Sequence, residues 1–273
     1  MLIKSKALKG YKLHARDGEI GKVVDFYFDD KFWTLRYLVA NTGAWLKNRK
    51  VLISPHAFDK IEKKERLFSL KLSKKQIKES PPLENDQPVS KQYQQAYMGY
   101  YGYPIYWYGS YPWGASPVIN PSEVAQTQKE NNWDPHLRSA HEVAGYKIHA
   151  RDGEIGNVQD FIIDDKTFTI RYLVVEAGSW FSDKKVLVSP HWIDQIDSIH
   201  SQVFTSLSRE QVKNSPLYLE NRRVGRKYEA DLHDHYGYDG YWDEGSPPLT
   251  HSSSLHHNGA RSADLPDSKS HGL

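Results

Sequence analysis

Apolar and polar residues alternate in short runs along this chain, and turn residues separate the runs. Over residues 20–29, Val23, Asp25 and Tyr27 alternate with Val24, Phe26 and Phe28, which predicts a strand. Asp17-Gly18 precedes it as a tight-turn dipeptide, and Asp29-Asp30-Lys31 closes it with a second turn. Residues 34–40 (TLRYLVA) form a β-branched and aromatic strand. Leu35, Tyr37 and Val39 take one face of it, and Arg36 and Leu38 the other. Gly43 breaks the pattern, residues 50–54 resume it, and Pro55 ends it by removing a ladder donor. Residues 66–72 alternate again. Ser73-Lys74-Lys75-Gln76 then has capping-box spacing for one short helix over 73–79, halted by Pro81 and Pro82.

The whole pattern occurs twice. Residues 10–16 read GYKLHAR and residues 145–151 read GYKIHAR, and the match continues without a gap at this offset of 135. Of the 53 positions from 10 to 62, 32 are identical in the second copy. Ser208 and Gln211 repeat the capping box, with Pro216 as the stop. The match reaches the flanking segments, where Tyr101-Gly102-Tyr103 falls over Tyr236-Gly237-Tyr238 and Trp107 over Trp242. Two repeats of this length indicate a duplicated domain rather than a solenoid. Short strands, turn signals every 8–12 residues and few helices predict a mainly β fold. The expected architecture is two small antiparallel β-barrels in tandem, each with one short helix after its last strand. The first occupies residues 1–84 and the second 141–219. A Tyr-rich linker or strap fills 85–140, a second aromatic strap 220–245, and a Ser/His/Pro-rich tail, expected to be disordered, 246–273.

The turn-plus-strand DGEIGKVVDFYFDD, the following TLRYLVA strand, the Gly/Trp loop and the strand end VLISPHAF together resemble the PRC-barrel domain. That family includes the cytoplasmic barrel of the photosynthetic reaction-centre H subunit and the C-terminal domain of the ribosome-maturation factor RimM. Both copies carry the resemblance, over residues 8–80 and 143–215. It implies compact β-barrels that serve assembly and protein interaction, with links to electron-transfer complexes or to ribosome maturation. The chain departs from both relatives: no apolar helix precedes the first copy, and only about ten residues do.

Composition fits two small cores diluted by other material. Hydrophobic residues make up 38%, against about 45–50% in ordinary globular domains. Zero cysteines exclude a disulfide framework, a thiolate metal site and a cysteine nucleophile. No apolar run approaches the roughly 18–20 residues that span a bilayer, and residues 1–10 lack a signal-peptide core. The expectation is a soluble cytoplasmic protein, or one peripheral to a membrane complex. The net charge of +2 averages unequal halves. Residues 10–81 carry sixteen basic and nine acidic side chains, a net +7. Residues 145–216 carry eight and ten, a net −2. Such asymmetry steers the two copies together or marks the first as the face for an acidic partner.

Candidate chemistry is sparse. His14 with Asp17, and Ser54 with His56, could form acid–base or nucleophilic pairs, but no third orienting residue follows, and turn histidines bonded to backbone explain them better. The same holds for His149 and His191. His233, His235, His256 and His257 could ligate metal, yet they lie in polar segments and read as solvated. Gly18-Glu19-Ile20-Gly21 has the form of a nucleic-acid clamp, but it opens a strand and carries an acid, so it reads as a hairpin turn. Asp29-Asp30 and Asp164-Asp165 fall short of a calcium loop. Arg36 and Arg171, mid-strand, either snorkel or pair with an acid such as Asp25 or Asp160. Residues 93–113 hold eight Tyr and two Trp and no Lys or Arg, which suits an apolar strap better than base stacking.

These readings point to a non-enzymatic interaction module without metal or cofactor, whose partner is a protein. The two barrels are expected to pair within the chain, or the chain to form homo-oligomers. Candidate interaction residues are Arg36, Trp45, His56, Lys60, Lys63, Lys64, Tyr103 and Trp107, with Arg171, Trp180 and His191 in the second copy. The alternative is binding of RNA or another anionic partner through the basic first barrel.

Overall fold

The computed structural model describes residues 1–83, 89–106, 136–178 and 184–243. Each repeat builds one seven-stranded sheet. In the first, β2 (Lys12–Ala15) turns at Asp17-Gly18 into the long β3 (Gly18–Asp29), which pairs with β4 (Thr34–Asn41). Then follow β5 (Lys50–Ile53), β6 (Phe58–Glu62) and β7 (Leu67–Leu70), giving the order β5-β4-β3-β2-β7-β6. The second repeat has β9 (Lys147–Ala150), β10 (Gly153–Asp164), β11 (Ile170–Ala177), β12 (Lys185–Val188), β13 (Ile193–Asp197) and β14 (Gln202–Thr205) in the equivalent order. The expected helix after the last strand is α2 (Lys74–Glu79) in the first unit and α5 (Arg209–Asn214) in the second. Both partners of the Ser–Gln capping box are made in each.

Two features of the expected barrel are corrected. Among the described residues no pairing joins β5 to β6, so each sheet is open rather than closed. Pro55 lacks the donor that would extend β5, and the 3-10 turn Pro55–Ala57 carries the chain away from the ladder. The sheets are also not purely antiparallel. The pairs β2–β7 and β9–β14 run parallel, because two hairpins meet edge to edge there. Alternation reports the faces of a strand and carries no information on its direction.

A bulge shifts the phase of β3. Register slips between Val23 and Asp25, so Val23 and Phe26 both face the core while Val24 and Asp25 do not. The same slip falls between Val158 and Asp160 in β10. Gly21 lies just before the bulge at φ +141, and a Cβ there would sit 2.0 Å from the Asn41 carbonyl oxygen. A Cβ on Gly156 would meet the Glu176 carbonyl oxygen at the same distance. The GEIG sequence is therefore a hairpin entry in which the second glycine admits the neighbouring strand.

The two sheets exchange their leading segments. β1 (Leu2–Lys4) pairs with β10, and β8 (Leu137–Ser139) pairs with β3, both antiparallel. After each arm comes one helical turn, α1 (Ser5–Leu8) or α4 (Ala140–Val143). Its start is held by an aspartate of the opposite unit. Asp160 accepts from the Ser5 hydroxyl at 2.5 Å and from the Lys6 amide at 3.1 Å. Asp25 accepts from the Ser139 hydroxyl at 2.6 Å and from the His141 amide at 3.0 Å. Between the arms, the Leu35 amide donates to the Phe168 carbonyl and the Ile170 amide to the Trp33 carbonyl. Phe28 and Phe161 meet nearby, ring centroids 5.4 Å apart. The buried side chains of both sheets merge into one cluster across this seam.

Two outcomes test this construction. Gly21→Ala is expected to cost more than about 3 kcal/mol, or to prevent folding, since left-handed strain of about 1–2 kcal/mol adds to a backbone clash. Gly43→Ala, with nothing within 4 Å, should cost only the strain. Denaturant unfolding separates the two. Asp160→Ala and Asp25→Ala should each lose about 1–3 kcal/mol, because each leaves buried or half-buried donors of the opposite unit without an acceptor.

Candidate functional site

Strand β4 is buried on both faces, and its second face is where the aromatic strap lies. Helix α3 (Lys91–Tyr101) starts at Ser90, whose side chain accepts from the Tyr93 amide, and stops at Gly102 in the left-handed region. Tyr93, Tyr97 and Tyr101 recur every four residues and stack along one side, with centroids 6.3 and 4.8 Å apart. With Val89, Met98 and Tyr106 they cover Tyr37, Val39 and Leu52 of the sheet. The Tyr97 hydroxyl accepts from the Ser54 amide at 3.0 Å and donates to the Leu52 carbonyl at 3.1 Å, closing the edge of β5. Desolvation pushes its ionisation well above the ordinary phenol range. The tyrosine-rich stretch is thus, as far as Tyr106, a structural cover for one sheet. The rest of it lies outside the described residues.

Arg36 sits between sheet and strap. It is buried and pairs with Asp29, while the Tyr106 ring lies 3.9 Å from the guanidinium carbon. Burial raises the Asp29 carboxyl, against the pull of Arg36 and of the Phe32 amide. The partner expected from the sequence, Asp25, is instead held by the β8 arm, because the bulge turns Asp25 toward it. Arg171 repeats the clamp in the second unit, 3.7 Å from Asp164 and 3.9 Å from the Tyr241 ring. Asp160 is likewise occupied by the other arm.

The second strap differs from the first in its chemistry. Helix α6 (Arg226–Tyr236) buries Glu229 and His233 at the positions that Gln94 and Met98 hold in the first. In the first unit Gln94 Oε1 lies 3.1 Å from the Tyr37 hydroxyl and 2.6 Å from that of Tyr106. In the second, Glu229 Oε1 accepts from Tyr172 at 3.1 Å and from Tyr241 at 2.8 Å, and Arg226 approaches the same carboxylate at 3.4 Å. His233 Nδ1 lies 2.8 Å from the Asp239 carbonyl, so that nitrogen carries the proton. Its Nε2 faces the Tyr172 hydroxyl at 3.2 Å. Tyr172 has one hydrogen, which serves either Glu229 or His233. Trp192 and Trp242 pack on the imidazole at 5.2 and 5.0 Å. His233 is therefore no solvated tail residue, as its polar sequence context suggested, and His235 is bonded to the Gln211 carbonyl. His256 and His257 lie outside the described residues.

The other candidates are dispersed. Trp45 is half-buried on the 3-10 turn Gly43–Leu46, with Lys74 4.8 Å from its ring. It lines an open cleft of 580 Å³ with Val24, Asn41 and Asn48. His56 stacks on Tyr103 at 5.2 Å, and its amide faces the Ser54 hydroxyl. Burial lowers its imidazole pKa. His191 is exposed, with its amide toward Ser189. Lys60 pairs with Glu62, and Lys64 is exposed at the tip of the β6–β7 hairpin. Lys63 crosses the seam to Asp165 at 2.6 Å, beside the amino group of Met1. The acidic pairs serve the same seam: Asp30 takes His136 and Arg138. Trp107 and Trp180 lie outside the described residues. Gln94, Glu229 and Tyr241 were missed by the reading of motifs, and His233 was weighed only as a metal ligand. The offset of 135 could have found them, since it sets Gln94 against Glu229 and Tyr106 against Tyr241.

Nothing in the geometry of the described residues gathers a nucleophile, a base and an orienting group at an open cleft. Among the described residues no group of three or more His, Asp or Glu is placed to hold a metal ion. No described helix is long and apolar enough to cross a membrane. What recurs is a sheet with an arginine clamp under a helical strap. Residues 135–212 match the PRC-barrel domain family. The match thus takes in the β8 arm, strands β9 to β14 of the second repeat and the start of the capping-box helix. A protein of Deinococcus radiodurans described as uncharacterized is 31% identical over 117 residues. The alignment covers 43% of this chain and 40% of that protein, so the chain spans less than half of its relative's length.

The buried histidine makes the strap of the second unit pH-dependent. Burial lowers the His233 pKa below its usual 6.5, although Asp239 and Glu229 pull it up. The folded state thus favours the neutral ring. The stability this contributes is complete above about pH 6.5 and is lost as pH falls from there toward the folded pKa, by up to about 1.4 kcal/mol per pH unit. Amide exchange over 226–242 should rise in that window by more than exchange over 91–106, where His56 only stacks on Tyr103 at the end of the strap. The variant Glu229→Gln/His233→Met, which copies the first strap, should abolish the difference.

Proposed function

We propose that the chain is a non-enzymatic assembly module made of two PRC-type units, the first related to the second by duplication, which binds a protein partner. One observation carries the reading: the side chains with chemical potential are committed to structure. The aspartates hold exchanged arms, the mid-strand arginines clamp the straps, and the buried tyrosines, Glu229 and His233 bond to one another. The result is one body whose outer surface is left for recognition. A setting beside electron-transfer complexes of the reaction-centre type rests on family resemblance alone.

The basic first unit favours an acidic protein over RNA. Lys63 is tied to Asp165, Lys60 to Glu62 and Lys12 to Glu19, and Lys74 lies over Trp45. These pairings break up the surface that a phosphate backbone would track. Crosslinking followed by affinity capture from the native host should recover a stoichiometric protein, resistant to nuclease and reduced by Lys60→Glu/Lys64→Glu. Recovery of nucleic acid alone, with the signal abolished by nuclease, would establish the anionic-polymer reading instead.

A further inference from the structure

Tyr172, on β11, is the buried end of a run of aromatic rings that reaches the surface of the second unit. Tyr238, just past the strap helix α6, is 43% exposed and stacks on Trp192 with centroids 5.5 Å apart. Trp192 is buried on the 3-10 turn Pro190–Trp192, 5.2 Å from the His233 ring, and that ring lies 6.1 Å from Tyr172. Rings in such contact pass an electron vacancy from one to the next.

A tyrosine that loses an electron becomes a strong acid, and the vacancy comes to rest on it only when the phenolic proton has somewhere to go. Burial keeps the Tyr172 phenol protonated far above the ordinary range, so the base has to stand beside it. His233 is that base. Its Nδ1 donates to the Asp239 carbonyl, which leaves the lone pair of Nε2 facing the Tyr172 hydroxyl at 3.2 Å. Burial favours the neutral ring, which is the form able to accept. Glu229 Oε1 lies 3.1 Å from the same hydroxyl, but the Tyr241 hydroxyl already donates to it at 2.8 Å, and Arg226 holds the other oxygen at 3.4 Å. The carboxylate is placed to balance an imidazolium.

The first unit is an internal comparison. Rings lead to its buried tyrosine as well: Tyr97 lies 5.3 Å from Tyr37, and Tyr101 lies 4.8 Å from Tyr97. The Tyr37 hydroxyl, however, meets the Gln94 amide oxygen, and Met98 stands where the second unit has His233. Neither side chain is a base.

We infer that Tyr172 is a redox-active tyrosine that takes up one oxidising equivalent from an oxygen-centred radical at the surface, with His233 as its proton acceptor. An alkylperoxyl radical removes one electron at Tyr238, and the vacancy moves through Trp192 to Tyr172. There the O–H bond breaks, the proton forms an N–H bond at His233 Nε2, and a neutral phenoxyl radical remains. The peroxyl anion takes a proton from water and leaves as the hydroperoxide. A reductant of the ascorbate class returns the electron along the same rings, and His233 returns the proton. The hydrogen bonds that fix the strap thus also prepare one stoichiometric step, separate from the partner binding proposed above.

Flash oxidation of the full chain by photogenerated tris(bipyridine)ruthenium(III) tests this, read by transient absorption and by electron paramagnetic resonance after rapid freezing. A neutral tyrosyl radical should form and outlive those of the exposed tyrosines. Tyr172→Phe should remove this long-lived radical, and Tyr37→Phe should leave it. His233→Met, which copies the first strap, should slow its formation at least about tenfold, the low side of what a positioned base contributes. In the unaltered chain its formation should be slower in deuterium oxide, because a proton moves in the same step. A long-lived radical that survives Tyr172→Phe overturns the proposal, and so does one that Tyr37→Phe removes equally. Formation that ignores both His233→Met and deuterium overturns the role of His233 and the proposal with it.

Discussion

A strand with apolar side chains on both faces has to be covered twice, and β4 and β11 impose that requirement on everything around them. One face of β4, with Leu35, Leu38 and Ala40, joins the core between the sheets. The other, with Tyr37 and Val39, needs a second layer, which Tyr97, Met98 and Tyr106 supply. The same strand carries an arginine that the cover takes out of water. Burying an unpaired guanidinium would cost several kcal/mol, so its neutralisation has to be built in. Asp29 supplies the charge and Tyr106 the aromatic face, and Asp164 and Tyr241 do the same for Arg171. The strap is thus held by two demands at once, the apolar face and the cation within it.

The two units meet this requirement with different polar groups. In the first strap, an amide oxygen lies between two tyrosine hydroxyls, and neither Gln94 nor Met98 carries a titratable group. In the second, a carboxylate replaces the amide and a histidine replaces Met98, so the same geometry acquires a proton equilibrium. Tyr97, which caps the β5 edge in the first unit, has become Leu232, which adds apolar contact instead. Trp192 stands where Ala57 stands and fills the space beside His233. A duplicated fold has kept its backbone frame while the covering layer diverged.

Legibility in the sequence followed the range of the interactions. Capping boxes, the Asp-Gly turn and the long alternating strand depend on neighbours a few residues away, and residues 18–29 and 73–79 could be read directly. The bulge at Val24 could not, because it is set by how β4 crosses β3 at Gly21. Strand β6 was missed because Asp59, Lys60 and Glu62 interrupt its apolar positions. The helical straps were missed because glycine and dense aromatics resemble low-complexity linker, although Tyr93, Tyr97 and Tyr101 have helical spacing. Arg36 was read as snorkelling or ion-paired and is a buried ion pair, but its partner depends on the bulge and so was misassigned.

The exchanged arms explain why the two copies work as one body. Each long strand leaves an edge that is filled from the other copy, by three residue pairs in each case. Such a short pairing is weak alone, since an isolated pair of strands is marginal in water. It becomes effective because an aspartate anchors the turn after it, and because Lys63 and Arg138 close charge pairs at its far end, with His136 2.8 Å from Asp30 beside them. The charge asymmetry between the copies acts locally here, as basic groups of one unit meet Asp165 of the other. A unit without its counterpart would expose an open strand edge and an unanswered aspartate. Association of the two is therefore a condition for completing either sheet, not an addition to two finished barrels.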